Sequence, residues 1–219
     1  MDFLALTQRL HREALRSTAA PSDPTSDTER NLRLFDKIAD AWADLQRERD
    51  WKWMREVMDT TLTTNVQTYT GTGLGATRFG RWRPEDNEYH PWCYLSGSPN
   101  ALFPLSFWQL DDFRNLYVYR QVGPTVPVAW TIDSQQNLLI GPAPNAAYKL
   151  RIDQWMEPSA LVNATDEPDM PSRFHMYLVW DALEKVGTES AAPEIVAKAQ
   201  ANKATIRSAL LFDQGRLPT

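Results

Sequence analysis

The sequence holds one cysteine, Cys93, in 219 residues, so no disulfide can form within the chain and its composition suits a reducing compartment. It has no apolar run approaching the roughly 20 residues that cross a bilayer. A secretory leader is not expected either: Arg9, His11, Arg12 and Glu13 interrupt the opening stretch before an apolar segment can develop. An excess of positive charge is also missing. Lys and Arg number 23 against 28 Asp and Glu, a net charge of −5 with a pI near 5.3, which argues against a general nucleic-acid binder. The charge does not exclude a protein that lets DNA pass without sticking. The chain is expected to start in a cytoplasm and to have no membrane partner.

Several chemical signatures are absent too. Gly71-Thr72-Gly73-Leu74-Gly75 lacks the Lys-Ser/Thr of a phosphate loop and reads as a flexible loop tip. No Gly-x-Ser-x-Gly elbow occurs. His90 and Cys93 offer two of the four ligands a structural zinc wants, with His11 and His175 far away in sequence. Asp111-Asp112 and the pair Glu167 and Asp169 raise glycoside hydrolysis, yet neighbouring acids are ordinary on a helix face. Asp166, Glu167 and Asp169 are expected to sit at the N-terminus of a helix. No catalytic, cofactor or metal-binding residue is assigned, and the chain is not expected to be an enzyme.

What is present is the pattern of a folded protein, 42% hydrophobic and 23% charged. Asp2 can cap a helix carrying Phe3, Leu6, Leu10 and Ala14 and ending near Ser17. After a Pro21- and Pro24-containing loop, Ser26-Asp27-Thr28-Glu29 reads as a capping box. The helix it opens, with the stripe Leu34, Phe35, Ile38, Trp42 and Leu45, would run to about Arg49 and span roughly 33 Å. Beyond Trp51-Lys52-Trp53 the period changes to two. Val57, Asp59, Thr61 and Thr63 alternate with Met58, Thr60 and Leu62.

Residues 79–94 are aromatic and basic without clean periodicity. Ser106-Phe107-Trp108-Gln109 reads as a second capping box, for a helix to about Tyr117. A three-stranded meander is expected next, from Val126 to Ile132, over Leu138-Leu139-Ile140, and from Tyr148 to Gln154. Pro171 and Pro193 then open two further helices, with stripes Phe174, Leu178, Ala182, Val186 and Ile195, Ala199, Ile206, Leu210. The fold class is α+β: about four helices from both chain ends in one bundle, residues 1–54 and 168–219, with a β-rich insertion at 55–167.

Nine tryptophans need an account. Trp42 falls on an apolar stripe and reads as core, and Trp51 and Trp53 share one face. Trp82, Trp92 and Trp108, in the irregular middle, are the candidates for subunit-interface anchors. Arg78, Arg81 and Arg83 interleave with Phe79 and Trp82, a mix that can stack on nucleic acid. The acids Glu85, Asp86 and Glu88 nearly cancel them, so ion pairs between subunits are the favoured reading.

The order of parts resembles the head-to-tail adaptor proteins of tailed bacteriophages. The residues that carry it are the Asp50-Trp51-Lys52-Trp53 exit from the second helix and Gly141-Pro142-Ala143-Pro144 followed by Tyr148-Lys149-Leu150. Met170-Pro171-Ser172-Arg173-Phe174-His175 and the step Ala192-Pro193-Glu194 complete it. The resemblance implies a virion protein of the neck, at the head–tail junction, assembled in the host cytoplasm. Copies would form a ring, dodecameric by analogy, that docks on the portal protein, extends the DNA channel and offers tail and nozzle proteins a surface. It also implies that Ile206, Leu210, Leu211, Phe212, Arg216 and Leu217, near the chain end, reach the portal. Other classes remain open: a tail-tube or terminator protein, a carbohydrate-binding module stacking sugars on Trp82, Trp92 and Trp108, or a murein hydrolase.

Overall fold

The computed structural model describes residues 1–14, 20–83 and 90–214. Along the chain come α1 (Phe3–Ala14), α2 (Glu29–Glu48), β1 (Arg55–Leu62), β2 (Thr68–Tyr69), β3 (Phe79–Trp82), β4 (Trp92–Leu95), β5 (Phe103–Pro104) and β6 (Ser106–Phe107). Then follow α3 (Leu110–Phe113), continued by a π-helical turn Arg114–Val118, and β7 (Ala129–Ile132), β8 (Leu138–Gly141), β9 (Tyr148–Met156), α4 (Met176–Glu189) and α5 (Pro193–Gln214). The fold is α+β, with five α-helices and two sheets among the described residues. The chain divides into two units, one built from Met1–Met54 with the chain from Pro158 on, the other from Arg55–Glu157.

In the helical unit α4 is the central element, packed against α1, α2 and α5. Tyr177 through Leu183 are all buried, so α4 has no solvent face there. The stripe on α2 is buried as its spacing requires: Leu34, Phe35, Ile38, Trp42 and Leu45. Asp2 caps α1 by accepting the Ala5 N–H at 2.7 Å. Phe3 and Leu4 donate their N–H groups to the carbonyls of Asp166 and Ala164 at 2.8 and 3.0 Å, which satisfies the remaining donors of the first turn. Residues 158–167, expected with the β-rich insertion, therefore lie with the helices.

The capping box at Ser26 does not form. Thr28 is the N-cap and makes no side-chain cap bond. Asp27 takes over, accepting the Ser22 N–H at 2.7 Å, the Asn31 side-chain amide at 2.9 Å and the Thr28 N–H at 2.7 Å. Those bonds, the Ser22 one foremost, hold its carboxyl well below the usual carboxylate range.

In the β unit one sheet runs β1-β9-β4-β5, with β3 also on β9, and the other runs β2-β8-β7-β6. The expected meander is only half present. β7 and β8 pair as a hairpin, but β9 joins the other sheet, antiparallel to β1 over all eight residues. Gly141-Pro142-Ala143-Pro144 separates them, and prolines lack the N–H that continues a ladder. The second capping box fails as well: Ser106 and Phe107 pair parallel to Ala129 and Trp130, and the helix starts at Leu110. Here a non-local ladder outcompetes a local cap.

Alternate residues sort to two cores. Trp130, Leu138 and Ile140 join Met58, Leu62, Trp82, Cys93, Leu150 and Ile152, while Ala129 and Leu139 pack on Phe113 and Tyr117. The glycine loop is a 3₁₀ turn, Thr72–Leu74, with Leu74 in the larger core and Gly71 under the Phe79 ring. It is packed, not a free tip. Gly80 sits where a Cβ would lie 2.9 Å from the Trp155 carbonyl oxygen, beside the bulge between Phe79 and Arg81. Gly80→Ala is expected to cost about 1–3 kcal/mol, since backbone must shift to admit the methyl. A urea-unfolding midpoint unchanged from wild type would refute this.

Candidate interaction surfaces

The sequence candidates scatter over the β unit rather than converge. Trp82 is fully buried and donates its indole N–H to the Gln136 carbonyl at 2.9 Å, so it is a core residue with no surface to offer a neighbour. Arg83 is buried beside Asp153 at 3.6 Å, and Arg55 closes on the same carboxylate. Arg81 lies over the Trp155 ring at 5.9 Å, and Arg78 reaches the Met156 sulfur at 3.4 Å. These guanidiniums are half-buried or buried against protein, not arrayed to stack on bases. The acids Glu85, Asp86 and Glu88, invoked as their partners, lie outside the described residues. Trp108 is half-buried, edge-on to Tyr117 at 6.0 Å. Of the three tryptophans only Trp92, on β4, stands out to solvent, 43% exposed.

Strand register gathers the neighbours of Trp92. Arg151 lies opposite it on β9, and Asp59 lies opposite Arg151 on β1. Asp59 binds Arg151 at 3.0 Å and accepts the Tyr94 hydroxyl at 3.1 Å. Val57 on the same face is 57% exposed. The sequence reading identified this strand and missed its exposed face. The alternation of Val57, Asp59 and Thr61 marks one side as polar, but nothing local shows that the side is open.

On the helical unit, Leu210 is buried, Ile206 and Leu211 are half-buried, and Phe212 is 84% exposed; Arg216 and Leu217 lie outside the described residues. α5 is tied down by ion pairs: Lys203 to Asp181 at 2.5 Å and Glu184 at 2.9 Å, and Arg207 to Glu48. Burial alone would lower the Lys203 pKa, but Asp181 and Glu184 hold it above the usual lysine value. The groove between α2, α4 and α5, about 380 Å³, is lined by these paired charges.

The acids before α4 do not stand at its N-terminus. Asp166 closes a turn, accepting the Val162 and Asn163 N–H groups at 2.8 and 2.7 Å, and Asp169 accepts the Ser159 hydroxyl at 2.8 Å. Burial pushes the Cys93 thiol up to about 12. Among the described residues no three of His, Cys, Asp or Glu gather as a metal site would need, and no helix is long and apolar enough to cross a membrane.

His175 is buried, with Nε2 3.0 Å from the Met170 carbonyl and Nδ1 2.8 Å from the N-terminal amine. Burial lowers its pKa from 6.5, against the pull of the Met170 carbonyl. The unfolded chain therefore takes up this proton before the folded one does. Stability is expected to hold above about pH 6.5 and to fall as pH drops through that value. Melting temperatures between pH 7.5 and 5.5 test this, and His175→Gln should flatten the slope; an equal slope in the variant would refute it.

The sequence matches the SU10 adaptor protein family over residues 1–217. The chain belongs to that family. It is a structural adaptor of bacteriophages, in agreement with the resemblance carried by Asp50-Trp51-Lys52-Trp53 and Met170-Pro171. The adaptor family is structural rather than enzymatic. No curated protein matches the chain.

Proposed function

We propose that this adaptor works at the virion neck as a ring of identical copies, twelve by family analogy. The ring would dock on the portal, continue the DNA channel and give tail proteins their attachment surface. Family membership over residues 1–217 carries this reading. In it, the helices from the two chain ends form one supporting bundle, and the β unit is the inserted domain that meets neighbours. The buried α4 and the ion-paired α5 suit a rigid support, and Phe212 at the α5 end is a surface for the portal. A ring is head-to-tail, so two different faces of each copy must match. The net charge of −5 suits a channel through which phosphate moves without sticking. The carbohydrate-module alternative loses most of its platform, because Trp82 is buried and Trp108 is packed on Tyr117.

Mass photometry and negative-stain microscopy of the chain, alone and mixed with portal, test the proposal. A monomer or weak oligomer that becomes rings on the portal is expected. A tight dimer that ignores portal would overturn it. Phe212→Asp, an outward change at a position 84% exposed, should leave the circular dichroism of the fold unchanged while attachment is lost.

A further inference from the structure

Phe212 is the most exposed large apolar side chain among the described residues, and it stands in the last turn of α5. The end of a helix tends to fray, because its last four carbonyls have no partner within the helix. A side chain on a fraying turn samples many positions, and whatever binds it must first order the turn. The end of α5 is held instead. Leu210 and Gln214 are buried on either side of Phe212. Between them the Lys52 amine donates to the Asp213 carbonyl at 2.9 Å, and the Arg173 guanidinium meets the Asp213 carboxylate at 2.5 Å.

Both cations are rooted in the core. Arg173 lies over the ring of buried Phe174, 4.8 Å from its centroid. Lys52 stands between Trp51 and Trp53, which stack on each other at 4.6 Å. Asp50-Trp51-Lys52-Trp53 and Met170-Pro171-Ser172-Arg173-Phe174-His175 are stretches far apart in sequence that carry the family resemblance. Each sends one cation to the residue beside Phe212. The side chains of Arg173 and Asp213 are 61% and 34% exposed, so their pair adds little to global stability. A last turn opens at almost no free-energy cost, and there a small contribution decides the balance.

We propose that Lys52 and Arg173 are positioning residues: through Asp213 they keep the last turn of α5 closed and present Phe212 to the portal as a fixed anchor. The inference rests on the reading above, in which Phe212 meets the portal. Each exposed contact biases the closed turn by up to about fivefold, and an anchor binds in proportion to the fraction of chains that hold it ready.

The test measures binding of the full chain to portal, with melting temperature and hydrogen exchange on the same variants. Phe212→Ala should weaken binding by about thirtyfold or more. The double variant Lys52→Ala, Arg173→Ala should weaken it by about tenfold at an unchanged melting temperature, with amides 210–214 exchanging about tenfold faster. Arg173→Lys keeps a cation for Asp213 and should bind within about threefold of wild type. Asp213→Asn should match Arg173→Ala, and combining the two should add nothing, since both remove one pair. A double variant that binds like wild type, while Phe212→Ala does not, overturns the positioning and leaves the portal contact standing. A melting temperature lowered by several degrees assigns the two cations to the fold and also overturns it. Phe212→Ala binding as tightly as wild type overturns both.

Discussion

Replacing Asp153 by alanine is expected to remove about 3–5 kcal/mol of stability, which for a chain of this size lowers the melting temperature by roughly 10 °C. Asp153 sits on β9 with 4% of its surface exposed. Arg55, from β1, closes on its carboxylate, and Arg83, itself buried, stands 3.6 Å away. A buried ion pair adds little over well-packed apolar residues, because desolvation offsets the attraction. Removing one partner is another matter, since it takes the carboxylate away from two guanidiniums, one of them buried. Asp153→Asn keeps the shape and loses the charge, so it should fall between alanine and wild type. The double change Asp153→Leu with Arg83→Met removes both charges and should recover much of the loss. Urea midpoints for the three variants check the order. A loss below about 1 kcal/mol for Asp153→Ala would mean that the cluster is solvated and that β9 holds its register by other means.

The same cluster shows why part of this molecule was readable from sequence and part was not. The helices announce themselves: Leu34, Phe35, Ile38, Trp42 and Leu45 recur at helical spacing and are all buried. That signal is local, and so is the Asp2 cap. Strand partners are not local. β9 pairs with β1, nearly a hundred residues earlier, although the β7–β8 hairpin stands closer in sequence. What selects the partner is the match of whole faces, which no short window displays. The bulge between Phe79 and Arg81 hides a strand in the same way. It breaks the period of two, so Trp82 reads as part of an irregular surface when it is a centre of the larger core. The candidate surface inherits this limit. Trp92 stands out by type alone, whereas the Asp59–Arg151–Tyr94 group becomes visible only once strand order is known.

Trp51→Ala is expected to cost about 3–5 kcal/mol, because three separate contributions meet at one fully buried side chain. The ring stacks on Trp53 with centroids 4.6 Å apart, and Trp53 in turn lies 6.4 Å from Trp42 on α2. The Arg49 guanidinium sits 5.4 Å from its ring centroid. Its indole N–H donates to the Leu45 carbonyl at 2.6 Å. Leu45 is in the last turn of α2, where carbonyls have no partner within the helix, so the tryptophan ends α2 as well as filling the core. A glycine or asparagine commonly does this work at a helix end; here the next chain segment supplies it. Trp51→Phe separates the contributions. It keeps an aromatic face for Trp53 and Arg49 but leaves the Leu45 carbonyl without its donor, which should cost about 1–3 kcal/mol. Tryptophan fluorescence during urea unfolding reports both variants, since Trp42 and Trp53 remain as probes. Equal losses for alanine and phenylalanine would assign the whole effect to the hydrogen bond. A phenylalanine variant as stable as wild type would assign it to packing, and α2 would then end without help from Trp51.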